Sequence, residues 1–321
     1  MPLDADAAAV LRALAVVPAP AFDGSADAAT IRAASDARRR PIEPTPLARV
    51  EDLSIEGGDG PLRARLYLSS AAPAVPPPVL MFFHGGGWVV CDIDSHDEIC
   101  RRLARVSGWA VISVDYRRAP EAKFPAPLDD CFAATRWVTE NGQVLGLDAT
   151  RLAVAGDSSG GNLAAGVALL SRDRGGPSLL HQLLIYAPLS HRFDTGSYAE
   201  HAEDCLLTAT AMRWYWRQYL RDAEDGESPL AAPARAESLA GLPPATIVTA
   251  EYDPLRDEGE AFGRRMTEQI AGSIVRRYDG VMHGFLGMSG AVAKSDQCMA
   301  FLGARLQEVE RVSRVRMEGV A

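Results

Sequence analysis

From residue 79 onward, short apolar segments typical of buried strands alternate with longer segments of helical periodicity. The strand-like segments are "VLMFFH" (79–84), "AVISVDY" (110–116), "RLAVAG" (151–156), "LLIYA" (183–187), "ATIVTA" (245–250) and "SIVRRY" (273–278), and the helical ones lie near 127–140, from about 159, near 256–270 and at the C-terminal end. Strands that alternate with helices form a mostly parallel sheet covered on both faces. The first strands, including the alternating "LRARLYLS" (62–69), could pair antiparallel. The sequence therefore predicts one α/β domain.

Two further regions precede or interrupt this alternation. Residues 5–17 and 26–40 are alanine-rich with helical periodicity, and the prolines of "RRRPIEPTP" end that pattern. Residues 190–240 are too many for a plain connection and contain a helical segment of their own, "TATAMRWYWRQYL". We expect this insertion to cover the carboxyl edge of the sheet, where open α/β folds bind their ligands.

The composition of the 321-residue chain disfavours several classes of function. Lys and Arg number 33 against 42 Asp and Glu, and a net charge of −9 has the wrong sign for binding nucleic acid. No window reaches the ~18 consecutive apolar residues of a membrane span, and the first residues lack the basic region of a signal peptide. The five cysteines lack zinc or CxxC spacing and fit reduced thiols: Cys91, Cys100, Cys131, Cys205 and Cys298. We therefore expect a cytoplasmic protein without nucleic-acid partners or stable membrane insertion.

The segment "GDSSG" (156–160) lies at the junction of a predicted strand and a predicted helix. It has the form G-x-S-x-G, in which a serine sits on a sharp turn with its hydroxyl exposed. The flanking glycines allow the strand and the helix to approach closely. Ser158 is then a nucleophile, whereas the alternative is a glycine-rich turn whose serine caps the helix.

A second glycine cluster, "HGGGW" (84–88), follows the predicted strand "VLMFF". Consecutive glycines allow backbone N–H groups to face a pocket without intervening side chains, and such donors stabilise the oxyanion of an acyl-transfer intermediate. The amide of Ser159, the residue after the nucleophile, would join them. A phosphate-binding loop is the alternative, but no G-K-[ST] follows the glycines.

A serine nucleophile needs a histidine base and an orienting carboxylate, here expected in the order Ser, Asp or Glu, His. Asp253 follows the strand "ATIVTA", and His283 lies in the loop after the next strand. Pro254 initiates a turn that favours Asp253 over the competing carboxylates, which are Glu251, Asp257 and Glu258. The other histidines, His96, His181, His191 and His201, lack such a context and are expected to be surface or structural residues. No HExxH or comparable spacing indicates a metal.

The chain resembles the hormone-sensitive-lipase-like family of α/β-hydrolase carboxylesterases. The resemblance runs through "HGGGW", "DYRRAPE", "FPAPLDD", "GDSSGGN", "DPLRDEG" and "MHGF", in family order over roughly residues 45–290. It implies an α/β-hydrolase fold, with a mostly parallel central sheet flanked by helices under a helical cap, and no cofactor. The cap would comprise residues 1–45 and 190–240, and the core would comprise residues 46–189 and 241–321.

Residue by residue, the resemblance assigns the nucleophile to Ser158, the acid to Asp253 and the base to His283. It assigns the oxyanion donors to Gly85, Gly86, Gly87 and Ser159, with the later two glycines used most often in the family.

Three positions depart from the family pattern. Ser159 stands where alanine is usual, although a backbone donor survives that change. Arg118 replaces a common leucine in "DYRRAPE", and Cys91 lies where glycine is frequent. These differences bear on substrate fit and leave the three assigned catalytic residues in place.

Four aromatic residues lie within about one and a half turns of the insertion helix "MRWYWRQYL": Trp214, Tyr215, Trp216 and Tyr219. They could anchor the insertion to the core. The spacing of three and four residues also allows one stripe of the helix to face Ser158. The substrate-binding candidates are therefore Trp88, Trp214, Trp216 and Tyr219.

We expect a serine carboxylesterase that hydrolyses small to medium, fairly apolar esters through an acyl-enzyme intermediate. Its partner would be a small-molecule ester, and a homodimer is compatible with the sequence. An amidase or carbamate hydrolase would use the same residues, and a non-catalytic ligand-binding or receptor protein could share the fold. The presence of His283 disfavours this last alternative.

Overall fold

The structure is a computed structural model, and it describes residues 2–16, 22, 26–39, 42–70, 75–202 and 206–318. Within these ranges eight strands form one sheet: β1 (Arg49–Gly57), β2 (Gly60–Leu68), β3 (Pro78–Phe83), β4 (Ala110–Val114), β5 (Asp148–Asp157), β6 (His181–Ile185), β7 (Ala245–Tyr252) and β8 (Ile274–Met282). Their order is β1-β2-β4-β3-β5-β6-β7-β8. The strands β3 to β8 are parallel, whereas β2 pairs antiparallel with β1 and β4. The predicted mostly parallel sheet with antiparallel first strands is confirmed.

Helices cover both faces of the sheet, and the central strands are apolar on both sides as a result. The main helices are α3 (Asp97–Ser107), α4 (Ala126–Asn141), α5 (Ser159–Arg174), α8 (Arg256–Gln269) and α9 (Ala293–Glu318). On β3, Val79, Met81 and Phe83 pack into the cluster that contains α4, α5 and α8. Leu80 and Phe82 point to the other face and pack with α3 and α9. Because successive side chains of a strand point to opposite faces of the sheet, β3 contributes to both hydrophobic cores.

β1 and α3 were not expected from the sequence pattern. The exposed face of β1 carries acidic residues, and Asp52 pairs with Arg63 and Arg65 of β2 at 2.9 and 2.5 Å. Ion pairs of this kind weaken the apolar alternation from which an edge strand is recognised. In α3 the buried Ile99 and Leu103 are likewise embedded among charged residues.

The N-terminal region and the insertion contribute α1 (Ala5–Leu14), α2 (Ala28–Ala37), α6 (Gly196–Glu200) and α7 (Ala209–Tyr219). The ends of the predicted helices at residues 17 and 40, and Cys205, lie outside the described residues. α7 begins after Thr208, whose hydroxyl accepts the amide of Ala211 at 3.0 Å. α1 lies against β8, where the amide of Asp4 donates to Gly280. α2 instead packs its Ile31 with residues of α7 and of the loop after β3.

No helix in the described part of the chain is both long enough and apolar enough to cross a membrane.

Candidate active site

β5 ends and α5 begins at Ser158, whose backbone has φ 51° and ψ −126°. A left-handed φ is unfavourable for serine, so the surroundings must hold it. The amide of Ser158 donates to the carbonyl of Ile185 on the neighbouring strand at 2.8 Å. A β-carbon on Gly156 would lie 2.2 Å from the carbonyl carbon of Gly160, and one on Gly160 would lie 1.9 Å from the carbonyl oxygen of Phe83. Only glycine at both positions permits this turn, which leaves the Ser158 side chain partly exposed.

His283 lies between Ser158 and Asp253. Its Nε2 is 2.9 Å from the Ser158 Oγ, and its Nδ1 is 2.7 Å from Oδ2 of Asp253. The three residues follow β8, β5 and β7, whose carboxyl ends meet at one edge of the sheet. One neutral tautomer satisfies both contacts, because Nδ1–H donates to the buried carboxylate while Nε2 accepts from the hydroxyl. The three residues predicted from motif order are therefore brought into one hydrogen-bonded chain.

The competing carboxylates are engaged elsewhere. Oε2 of Glu251 accepts a backbone amide of β8 at 2.6 Å, and Oδ2 of Asp257 accepts a backbone amide of α6 at 2.8 Å. Oε1 of Glu258 accepts the amides of Leu189 and Ser190 at 2.7 and 3.1 Å. Asp253 is therefore the carboxylate that holds the histidine.

The amides of the glycine loop are not equivalent, which corrects the prediction for Gly85. The Gly85 amide donates to Oδ1 of Asp157 at 3.0 Å and is thereby occupied. Within the described part of the chain, the amides of Gly86, Gly87 and Ser159 donate to no protein acceptor. Gly86 and Gly87 have φ of 114° and 58°. Ser159 is the first residue of α5, where amides lack helical acceptors. These three amides remain as candidate oxyanion donors.

A buried polar cluster lies beneath the glycine loop. Nε2 of His96 is 3.2 Å from Oδ1 of Asp157 and 3.3 Å from the Gly85 amide. Burial alone would raise the pKa of Asp157, but His96 and the Gly85 amide hold it below the usual aspartate value. His84 stacks on Tyr116 with ring centroids 4.2 Å apart, and burial lowers the pKa of His84 to about 3. No local pattern marked His96, because its place depends on how the loop between β3 and α3 folds.

The remaining histidines have structural contacts, as the sequence analysis expected. His181 is buried against Thr246, with Nε2 2.8 Å from the threonine hydroxyl, and burial lowers its pKa to about 3. The ring of His191 packs on Trp216, and His201 lies beside Arg256.

The four aromatic residues predicted to bind substrate are instead packing anchors. Trp88 stacks on Tyr219 with ring centroids 4.2 Å apart and planes 2° from parallel. Trp216 lies 4.6 Å from Trp88, and all three side chains are fully buried. Trp214 is also buried and packs with Ile31 of α2. Such packed rings hold α7 on the loop that follows β3 and offer little surface to a ligand.

Tyr215, which was not among the predicted substrate-binding residues, contacts the loop of candidate oxyanion donors at Gly87. A β-carbon built on Gly87 would lie 2.2 Å from Cδ1 of Tyr215, so the ring rests directly on this glycine. Phe22 packs on the Tyr215 ring, with centroids 5.4 Å apart. Tyr215 is only half-buried, unlike Trp214, Trp216 and Tyr219 on the same helix.

Two departures from the family pattern contact each other. Cys91 has φ 66°, which explains why glycine is frequent there, and its carbonyl accepts a hydrogen bond from the Arg118 guanidinium. Arg32 of α2 donates to the carbonyl of Val89 in the same loop and to that of Ala119 in the loop after β4, each at 2.8 Å. The loop that carries the candidate donors is thus held by arginines from two elements.

Among the described residues, no group of three or more His, Cys, Asp or Glu side chains is arranged to hold a metal ion.

The chain is similar to known proteins of the α/β-hydrolase fold. Residues 80–287 match a family model described as an alpha/beta hydrolase fold. The chain is 41% identical over 262 residues to Esterase LipI of Mycobacterium tuberculosis, covering 80% of each protein. It is 34% identical over 264 residues to an ethyl acetate hydrolase of Pseudomonas putida, covering 81% and 82%. A solved structure of the hyperthermophilic esterase from Pyrobaculum calidifontis superposes with a TM-score of 0.88 at 38% identity, covering 97% of this chain and 99% of that one. The chain belongs to the hormone-sensitive-lipase-like family of α/β hydrolases.

Proposed function

We propose that the protein is a serine carboxylesterase in which Ser158 is the nucleophile, His283 the general base and Asp253 the acid that orients the imidazole. One observation carries the proposal: the two ring nitrogens of His283 are each used, one by the Ser158 hydroxyl and one by the Asp253 carboxylate. This arrangement activates an otherwise weak serine nucleophile.

In the acylation step, the Ser158 oxygen attacks the carbonyl carbon of the ester while its proton passes to Nε2 of His283. The carboxylate of Asp253 stabilises the resulting imidazolium and stays ionised. The carbonyl oxygen becomes an oxyanion, which we assign to the amides of Gly86, Gly87 and Ser159. The tetrahedral intermediate then collapses, the alcohol leaves with the proton from Nε2, and the acyl group remains on Ser158.

Deacylation repeats this sequence with water. Nε2 of His283 takes a proton from a water molecule while the water oxygen attacks the acyl carbon. The same proton then passes to the Ser158 oxygen as the carboxylic acid product leaves. No cofactor is needed, because proton transfer, nucleophile and electrostatic stabilisation all come from the chain.

The proposed substrates are small to medium, fairly apolar esters. Relatives named as an esterase and an ethyl acetate hydrolase support the ester class. The half-buried ring of Tyr215 beside Gly87 supports an apolar group on the substrate. An amidase or carbamate hydrolase is the alternative within the same chemistry. A non-catalytic binding protein is disfavoured because such a role does not require the hydrogen-bonded Ser158 and His283.

The test is hydrolysis of aryl esters from acetate to decanoate beside the matching anilides, with wild type and Ser158→Ala. We expect ester hydrolysis by wild type and the loss of nearly all turnover in the variant. A serine-directed organophosphate should label Ser158, as read by peptide mass analysis. A label on Ser159, full activity in Ser158→Ala, or faster anilide than ester turnover would overturn the corresponding part of the proposal.

We also propose a reducing, cytoplasmic location and self-association as a homodimer. Cys100, Cys131 and Cys298 are buried free thiols, and burial raises the pKa of each, which suits reduced cysteines in a core. Fractionation of cells with thiol alkylation tests the location, and light scattering of the purified protein tests the dimer.

A further inference from the structure

We propose that Ser197, on α6 of the insertion, is a positioning residue that fixes the carboxylate of Asp253 through a single peptide group. The inference rests on the proposed role of Asp253 as the acid that orients His283. It assigns a part in the reaction to a segment outside the central sheet.

The peptide group in question joins Pro254 to Leu255. Its N–H, on Leu255, donates to Oδ1 of Asp253 at 2.9 Å. Its C=O, on Pro254, accepts the hydroxyl proton of Ser197 at 2.6 Å. A peptide group is planar and rigid, and its N–H and C=O point to opposite sides. Fixing the carbonyl with Ser197 therefore fixes the direction of the N–H that holds Asp253.

Asp253 has few other means of holding its orientation. Among the described residues, its carboxylate has two hydrogen-bond partners, the Leu255 amide on Oδ1 and His283 Nδ1 on Oδ2. The side chain is fully buried, so water does not replace a lost partner at low cost. A rotated Pro254–Leu255 peptide would leave the carboxylate free to turn away from the imidazole.

Ser197 is itself firmly held. It is fully buried, and its amide donates to Oδ2 of Asp257 at 2.8 Å. Its Oγ accepts the Asp257 amide at 3.2 Å and lies 3.1 Å from the hydroxyl of Thr195. The hydroxyl proton of Ser197 is thus directed to Pro254, and α6 is joined to the first turn of α8.

The test compares Ser197→Ala with Ser107→Ala. Ser107 is a matched control, because it is also buried and donates to a backbone carbonyl at 2.6 Å, that of Leu103 on α3. Both variants should lose stability on heating, since the Ser197 hydroxyl makes three buried contacts and the Ser107 hydroxyl makes two. For Ser197→Ala we expect kcat to fall about ten-fold with KM within about two-fold, well short of the ~10⁴-fold loss expected for Asp253→Asn. Ser107→Ala should keep the wild-type kcat.

The pH dependence of kcat/KM separates positioning from a general loss of structure. The charged and titratable groups around this contact are Asp253, Asp257, Glu258, Tyr198 and Arg256, with Glu200 and His201 beside Arg256. Tyr186 packs on His283. Ser197→Ala changes none of these charges. The acidic limb of the kcat/KM profile of this variant should nevertheless move toward lower pH by about half a unit. The reason is that a His283 imidazolium gives up its proton more easily when the Asp253 carboxylate no longer holds it.

Ser197→Cys supplies a second variant that nearly keeps the volume and has a weaker donor. It should lie between Ser197→Ala and wild type, and it carries the test if the alanine variant does not fold. Wild-type kcat and an unshifted acidic limb in a folded Ser197 variant would overturn the inference. Full activity in Asp253→Asn would instead overturn the proposed function, so the two failures are distinguishable.

Discussion

Tyr215 covers Gly87 so closely that no side chain larger than hydrogen fits between them. The contact joins the insertion helix α7 to the loop whose amides are candidate oxyanion donors. It places a half-buried aromatic ring beside one of the amides that we propose as oxyanion donors.

Tyr215→Ala should therefore change which acyl chains are accepted. Removing the ring opens space beside Gly87, so we expect the ratio of octanoate to acetate hydrolysis to rise about five-fold or more, as a pocket gains room for methylene groups. Tyr215→Phe keeps the ring and should keep the ratio. Initial rates across the aryl ester series measure it. An equal loss at every chain length would mean that the ring only holds α7 in place.

Trp216→Ala should act on stability and not on selectivity. The side chain is fully buried between Trp88 and His191, and large-to-alanine changes in cores cost about 3–5 kcal/mol. Urea unfolding of Trp216→Ala and of wild type measures the loss in the free energy of unfolding. Trp137→Ala is a suitable comparison, since Trp137 is only partly buried on α4 and should cost less. A shifted acyl preference with unchanged stability would show that Trp216 contacts substrate after all.

Glu258 predicts a pH-dependent stability. Burial raises its pKa to about 8 from 4.5, so between these values the folded protein keeps a proton that the unfolded chain has released. The folded state then binds more protons, and the free energy of unfolding falls as the pH rises through this window. Glu258→Gln cannot ionise and accepts the same amides. From pH 5 to pH 9 it should gain on the order of 2–4 kcal/mol relative to wild type.

Urea unfolding of both proteins at pH 5, 7 and 9 measures this difference. If the free energy of unfolding of Glu258→Gln and of wild type changed in parallel with pH, the prediction would be wrong. Glu258 would then be ionised in the folded protein, with its carboxylate accepting the amides of Leu189 and Ser190.

Asp157 should matter through the loop that it holds. Asp157→Ala removes the nearer of the two acceptors of the Gly85 amide and loosens the neighbouring candidate donors, so we expect kcat to fall about 10²-fold, similar to the loss of one oxyanion donor. Asp157→Asn keeps an oxygen acceptor and should retain most of the activity. Steady-state kinetics on acetate esters, with kcat and KM determined separately for each variant, test this prediction. Equal kcat values for the two variants would remove Asp157 from this role.

Much of the site follows from local sequence. Ser158, Asp253 and His283 could be predicted because each follows a strand of a parallel sheet, and the carboxyl ends of such strands meet at one edge. The glycines around Ser158 are needed for local steric reasons that a short motif records. Apolar periodicity likewise identified every strand from β3 to β8.

The remainder depends on contacts between distant segments. Gly85 looks equivalent to its neighbours in sequence, and only the folded loop turns its amide toward Asp157. His96 and Ser197 act through partners 61 and 57 residues away, in segments whose packing no local pattern encodes. The aromatic residues of α7 look alike in the sequence but differ in burial, because the orientation of the helix decides which side chains face the core.

The proposed nucleophile Ser158 and its proposed base His283 are 125 residues apart, and His283 follows the strand at the sheet's outer edge. During synthesis from the N-terminus, the turn at Ser158 can form on β3, β5, α5 and β6 before β8 exists. On the proposed mechanism, Ser158 of an unfinished chain would lack its base, and hydrolysis would require that β8 has docked. By the same logic, fraying at that edge of the mature protein separates His283 from Ser158 while the centre of the sheet stays folded. Under the proposed mechanism, hydrolytic activity therefore requires that the last strand of the sheet is in place.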